Sequence, residues 1–201
     1  MSPRTKEQFE KIRESTSTRI LDAALELFAV NGFHATSISQ IAEKAGISKG
    51  LMYNYFENKD DLLRKIIEDG FRQLEVMMGG IYSETDPRKA LEKVIHVSMD
   101  HIRNNPTYWR LYMSVILQSE SQKEVEELMM DFRDKATQEL SELFKAMGEK
   151  DHYLKGYTLG TQLDGIGFNM VTAPDSFPLD ELENYLIETY CSPRKKKRKA
   201  K

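Results

Sequence analysis

Between Ser37 and Lys59 the chain reads SISQIAEKAGISKGLMYNYFENK. This run gathers side chains suited to the grooves and phosphates of duplex DNA. Lys49 can bond guanine O6 and N7, and Asn54 can bond adenine N6 and N7. Gly50 carries no side chain, so backbone can come close to a groove. Leu51 can touch a thymine methyl or pack inward. Thr36, Tyr53, Tyr55 and Lys59 can hold phosphates, helped by amides at helix N-termini. With the hydroxyls of Ser37, Ser39 and Ser48, these residues form the predicted DNA-contacting set.

Such side chains need two short helices to carry them. Ile38, Ile41, Ala42 and Ala45 recur at i, i+3, i+4 and i+7, one apolar helix face. Ser37 and Gln40 make a capping-box pattern that starts this helix. Gly46 ends it, because glycine takes the left-handed backbone at low cost. Ser48 then caps a second helix, expected over Lys49–Phe56, with Met52 and Phe56 inward. Asn58 caps a third start, with Asp61 at its N3 position. Two helices joined at a Gly turn are a helix-turn-helix outline. Spacing alone fits a small helical hairpin inside a larger bundle equally well.

The residues also resemble a known family. Ile20-Leu21-Ala24-Leu25-Leu27-Phe28, Gly32-Phe33, Ala35-Thr36-Ser37-Ile38, Ile41-Ala42 and Ala45-Gly46-Ile47-Ser48-Lys49-Gly50 match it, with Tyr53, Phe56, Asn58-Lys59 and Leu62. Residues 16–63 are similar to the N-terminal domain of the TetR family of bacterial transcriptional regulators. Leu51 stands where that family often has Thr, and Tyr55 where it often has His. The resemblance implies an effector cavity in the C-terminal domain and dimerisation through the last two long helices, here Tyr153–Val171 and Pro178–Tyr190.

The 201 residues suit one domain or two small ones. The expected division is a flexible arm over 1–15, the helix-turn-helix domain over 16–63, a helical effector and dimerisation domain over 64–191, and a basic disordered tail over 192–201. In the arm, Arg4, Lys6, Lys11 and Arg13 suit phosphate contacts, and a solvated tail or a helical extension is an equal alternative. Nine helices and no strand are expected, an all-α chain. The long helix from about Lys59 to Tyr82 is the mechanical link between the domains.

Charge is unevenly spread. Residues 1–64 hold 9 Lys/Arg and 9 Asp/Glu, residues 65–193 hold 13 and 23, and residues 194–201 hold 7 and none. A net-zero reader is not the broad basic surface of a non-specific binder. The tail has three readings: diffuse phosphate affinity, folding back on the acidic body, or a likeness to a nuclear import signal.

Met99, Tyr108, Trp109, Tyr112, Met113, Met129, Phe132 and Phe168 are the candidate lining for a mainly apolar ligand. Ordinary core is the alternative for each. A single Cys, Cys191, excludes an intrachain disulfide framework and fits a reducing, cytoplasmic setting. The charged start is not a secretory signal, and no apolar run approaches the ~20 residues needed to span a bilayer.

His34, His96, His101 and His152 are scattered, without the i, i+4 spacing of a helical zinc site. Asp100 and His101 are adjacent and point apart on a helix. No phosphate loop or nucleophile elbow is present. The expectation is no enzyme, no metal and no cofactor. The reading is a sequence-specific, homodimeric, ligand-responsive repressor on a palindromic operator in a bacterial cytoplasm. A helical protein-interaction module or a ligand-independent activator is the alternative.

Overall fold

A computed structural model describes residues 5–117 and 123–192. Among these residues the structure is all α, with nine α-helices and no strand. They are α1 Lys6–Asn31, α2 Ile38–Lys44, α3 Lys49–Met52, α4 Lys59–Met78, α5 Pro87–Asn104, α6 Pro106–Leu117, α7 Lys123–Ala146, α8 His152–Thr172 and α9 Leu179–Cys191. Short 3-10 turns lie at Ile81–Ser83 and Pro174–Ser176. No helix is long and apolar enough to cross a membrane among the described residues. The basic stretch 193–201 and Arg4 lie outside them, as does Ser121, whose spacing to Glu124 is a capping-box pattern in the sequence.

Several boundaries follow from local chemistry. α1 starts ten residues before Thr16, so residues 6–15 take the helical alternative. Thr5 accepts from the Gln8 amide, and the Gln8 side chain accepts from the Thr5 amide. That capping box satisfies two orphan donors. α4 ends at Met78, before Gly80, whose φ is +83°. Pro87 and Pro106 each occupy the first position of a helix, where a missing N–H costs nothing.

The second helix of the pair is shorter than expected. α3 stops at Met52, and Lys49–Phe56 is not one regular helix. Asn54 and Tyr55 donate to Leu51 O and Met52 O, three residues back, at 3.1 and 2.9 Å. These i→i−3 bonds tighten the chain out of α geometry. Phe56 returns to the i→i−4 pattern on Met52 O at 3.1 Å and is buried.

The chain divides into two compact units. The first comprises residues up to Arg72 together with Thr107–Met129. Its core holds Ile20, Ala24, Phe28, Ile41, Met52, Leu62 and Ile67, all essentially inaccessible. The second comprises Gln73–Pro106 and the chain from Met130 onward. There α5 and α9 share a charged seam. Arg103 reaches Asp180 at 2.7 Å and Glu183 at 3.3 Å, and His96 meets Glu183. Arg88 donates to the carbonyls of Cys191 and Ser192 at the end of α9, where a cation suits the helix dipole. Beneath them, α7 and α8 approach closely at Gly156. A Cβ there would lie 2.8 Å from Ser141 N and 3.0 Å from Thr137 O. Nearby, the Ser141 hydroxyl and His152 Nδ1 are hydrogen-bonded at 2.8 Å.

Candidate nucleic-acid interface

The turn between α2 and α3 is built from backbone bonds. Ile47 N–H donates to Ala42 O and Gly46 N–H to Glu43 O, each at 3.0 Å. With Gly46 at φ +69°, this is a Schellman ending. It satisfies two carbonyls of α2 and sets the angle at which α3 leaves. Ser37 caps α2 reciprocally with Gln40, and Ser48 accepts the Leu51 amide at 3.2 Å. Ser37 and Ser48 therefore spend their hydroxyls on caps, although both residues remain exposed.

α3 is two-faced. Met52 is 1% exposed and anchors it, whereas Lys49, Gly50, Leu51, Tyr53 and Asn54 are exposed. Leu51 and Tyr53 are 38% and 52% exposed, high values for such large side chains. Gly50 has an ordinary helical φ, and a Cβ added there would meet nothing within 4 Å. Internal packing does not demand glycine at this position. Ser39 is also exposed, one residue into α2.

Two expected phosphate-holding residues, Thr36 and Lys59, spend their polar groups inside the chain. Thr36 is 1% exposed, and its hydroxyl donates to Gly32 O at 2.8 Å and Leu27 O at 3.2 Å. It latches the strap between α1 and α2, so its side chain is not a surface phosphate ligand. Lys59 Nζ donates to the carbonyls of Phe33, His34 and Thr36 at 2.7, 3.3 and 3.0 Å. Its three protons are thereby engaged. Tyr55 is half-buried, with the Arg13 guanidinium 5.5 Å from its ring centroid. Arg13 also donates to Asn54 O at 3.4 Å, so it braces the chain just past α3. That bracing role was not readable from sequence, because it joins residues 41 apart.

The candidate ligand residues are distributed over both units. Tyr108, Trp109 and Tyr112 cluster on α6. Tyr108 and Tyr112 stack at 6.3 Å, and Trp109 meets Tyr112 edge-on at 5.5 Å. Phe71 of α4 meets Tyr112 edge-on at 6.0 Å. Tyr108 lies against Gly70 and donates to Ile67 O at 3.4 Å, and burial pushes its phenol pKa upward. Met113 and Met129 belong to the same unit, half-buried and buried. Met99, Phe132 and Phe168 belong to the second unit.

Met99 is fully buried, but Phe168 is 42% exposed. It falls on an outward stripe of α8 with Tyr153, Leu154, Tyr157, Thr161 and Gly165. Periodicity marks such a residue as apolar-facing without saying what it faces. Asp164, at the edge of this stripe, is a group the sequence did not flag. Burial raises its carboxyl to about 6, partly opposed by Arg133. No group of three or more His, Cys, Asp or Glu side chains among the described residues is arranged to hold a metal ion.

Known proteins match this arrangement. Residues 20–66 match the family model for bacterial regulatory proteins of the tetR family. A fatty acid metabolism regulator protein of Bacillus subtilis is 37% identical over 78 residues, 38% of this chain and 40% of that protein. The HTH-type transcriptional repressor KstR2 of Rhodococcus jostii is 30% identical over 125 residues, 58% of this chain and 59% of its own. The chain thus spans about half the length of the curated relatives it matches. The crystal structure of the Bacillus subtilis regulator FadR, solved in complex with stearoyl-CoA, shares the fold at a TM-score of 0.73. It is 24% identical and covers 89% of this chain and 99% of that one. A Gly-turned helix pair with an exposed, two-faced α3 thus lies inside the segment, residues 20–66, that matches the tetR family of bacterial regulatory proteins.

Proposed function

We propose that this chain is a ligand-responsive transcriptional repressor that binds a palindromic operator as a homodimer. The observation that carries the reading is α3 itself. Five consecutive or near-consecutive residues, Lys49, Gly50, Leu51, Tyr53 and Asn54, face solvent around one buried anchor, Met52. Lys49 and Asn54 would supply base-edge bonds, and Leu51 an apolar contact with a thymine methyl. Tyr53 would hold a phosphate, with Ser39 beside it. Gly50 leaves room for the groove to come close.

Support for a dimer comes from the outward stripe of α8. Tyr153, Leu154, Tyr157 and Phe168, with Tyr185 on α9, leave large apolar side chains exposed. Contiguous exposed apolar surface favours a partner, and a second copy would place two readers in major grooves ~34–36 Å apart. In this reading Phe168 serves the interface and not the effector. The effector would be mainly apolar, and an acyl chain fits the α6 cluster of Tyr108, Trp109, Tyr112 and Met113 in chemical character. The matched fatty acid metabolism regulator of Bacillus subtilis, and the Bacillus subtilis FadR fold solved with stearoyl-CoA, support the same ligand class. Ligand shifts operator affinity only by its differential affinity for two dimer shapes. Catalysis is not part of this reading.

Site selection from random duplexes, followed by affinity measurements with and without stearoyl-CoA, tests the proposal. A palindromic winner, released by the acyl-CoA, is the expected result. Gly50→Ala should keep the fold, gain up to ~1 kcal/mol of helix stability, and lose about tenfold or more in operator affinity, roughly 1.4 kcal/mol. An absence of any enriched sequence would refute the reader. Enrichment with no response to acyl-CoA would refute this effector class and leave the reader standing.

A further inference from the structure

Lys59 is the first residue of α4, where a cation opposes the positive end of the helix dipole. Glu57, Asp60 and Asp61 surround it in sequence, so this corner carries more negative than positive charge. The first feature disfavours a free ammonium at this position, and the second disfavours an approaching phosphate. The structure supplies another partner set. One nitrogen lies 2.7, 3.0 and 3.3 Å from the carbonyls of Phe33, Thr36 and His34. The same ammonium sits 4.4 Å from the centroid of the Phe33 ring. Three protons on one tetrahedral nitrogen match three convergent acceptors.

We propose that Lys59 is a positioning residue that ties the start of α4 to the strap entering α2, and does not contact DNA. The inference rests on the DNA-reader function proposed above. The strap, residues 32–37, ends at Ser37, the N-cap of α2. From Ser37 the chain runs through the Gly46 turn into α3. Thr36 latches the strap to α1 from one side through Gly32 O and Leu27 O. Lys59 holds it from the other side through backbone alone. Because the acceptors are carbonyls, any residue can occupy positions 33 and 34 without breaking the tie. Without the ammonium these part-buried and exposed carbonyls lose the one donor that joins them, which frees the strap and with it the entry of α2. The reader is then folded but held at variable angle.

The test compares wild type with Lys59→Met and Lys59→Arg. Methionine keeps the stem against Phe33 and removes the donors. Arginine keeps the charge, but its planar fork cannot aim three bonds from one atom. Operator affinity is measured across a salt series, alongside affinity for a random duplex and hydrogen exchange of the amides at residues 33–37.

The expected result is a loss of about tenfold or more in operator affinity for both variants. The slope of log affinity against log salt should stay unchanged, as should random-duplex binding. Exchange in the strap should speed up. A phosphate ligand behaves otherwise. Methionine would then lower the slope by about 0.9 per site, about 1.8 per dimer, arginine would restore binding, and strap exchange would not move. That pattern overturns the proposal, as does unchanged operator affinity in Lys59→Met. If Lys59→Met fails to fold, Lys59→Arg decides alone: restored affinity overturns the clamp, and lost affinity at an unchanged slope supports it. If wild type binds no operator, the reader has failed. Strap exchange in Lys59→Arg against wild type then still tests the clamp by itself.

Discussion

Gly70→Ala should destabilise the protein, although alanine is the better helix former. Gly70 is buried within α4, and Tyr108 of α6 fills the space where its side chain would be. A Cβ at position 70 would stand 2.1 Å from Tyr108 Cε2, 2.2 Å from Cζ and 2.5 Å from the hydroxyl. Ordinary carbon contacts begin near ~3.5 Å, so the ring must withdraw by more than an ångström. It cannot do so freely, since Tyr112 stacks on it and Ile67 O accepts its hydroxyl.

Overpacking of this kind costs about 1–3 kcal/mol, and the hydrogen bond to Ile67 O adds roughly 1 kcal/mol if lost. Helix propensity returns about 1 kcal/mol. The net expectation is a loss of about 1–3 kcal/mol, or roughly 3–10 °C in Tm for a chain of this size. Removing the ring should reverse the sign. In a Tyr108→Ala background, Gly70→Ala should stabilise by about 1 kcal/mol, which gives a coupling of about 2–4 kcal/mol across the cycle. The assay is thermal and urea unfolding of the four proteins at one concentration, because dimerisation would make Tm depend on it. A Gly70→Ala single variant that melts higher than wild type, or a cycle with no coupling, would refute the seating of Tyr108 on α4.

Two further outcomes are expected. Gly156→Ala meets backbone, Ser141 N at 2.8 Å and Thr137 O at 3.0 Å, and not a movable side-chain tip. α7 and α8 must then part, and the net loss in a melting experiment should be about 1–3 kcal/mol; a neutral result would mean the helices are not in close contact there. Asp164→Asn should alter the pH dependence of stability. Burial raises this carboxyl from 3.8 to about 6 in the folded chain, so the folded state binds a proton that the unfolded state has lost between those values. Its favourable contribution is full below about 4 and disappears as pH rises through about 6. Relative to Asp164→Asn, the wild type should therefore weaken between about pH 4 and 7, by at most about 3 kcal/mol; parallel stability profiles would show that Asp164 titrates normally.

The local features of the reader were legible because each has a short-range cause. Ser37 with Gln40 starts α2, and Gly46 followed by Ile47 ends it, all within eleven residues. Thr5 with Gln8 is the same signal for α1, but it precedes residues with little apolar periodicity: Phe9 and Ile12 stand exposed on the finished helix. What sequence could not give was the destination of long side chains. Lys59 and Arg13 have the chemistry of phosphate ligands, yet their partners lie more than twenty residues away on the strap and just past α3. Thr36 looks like a surface hydroxyl until the strap folds it inward. Phe168 has helical spacing, which cannot distinguish a core from a face awaiting another chain. The ring cluster on α6 was found from residue types, but its seat on Gly70 needed the packing of α4.

The exposed stripe on α8 also bears on how the proposed regulator would sense its own concentration. If operator binding requires two chains and the free chains are mostly monomeric, dimer concentration rises as the square of chain concentration. Operator occupancy then responds to expression more steeply than a monomeric reader could. Halving the chain concentration at constant volume would then remove about three quarters of the dimers. Tyr153, Leu154, Tyr157 and Phe168 would thus set a threshold in copy number, independent of any effector, and polar substitutions along the stripe would move that threshold without touching a single base contact.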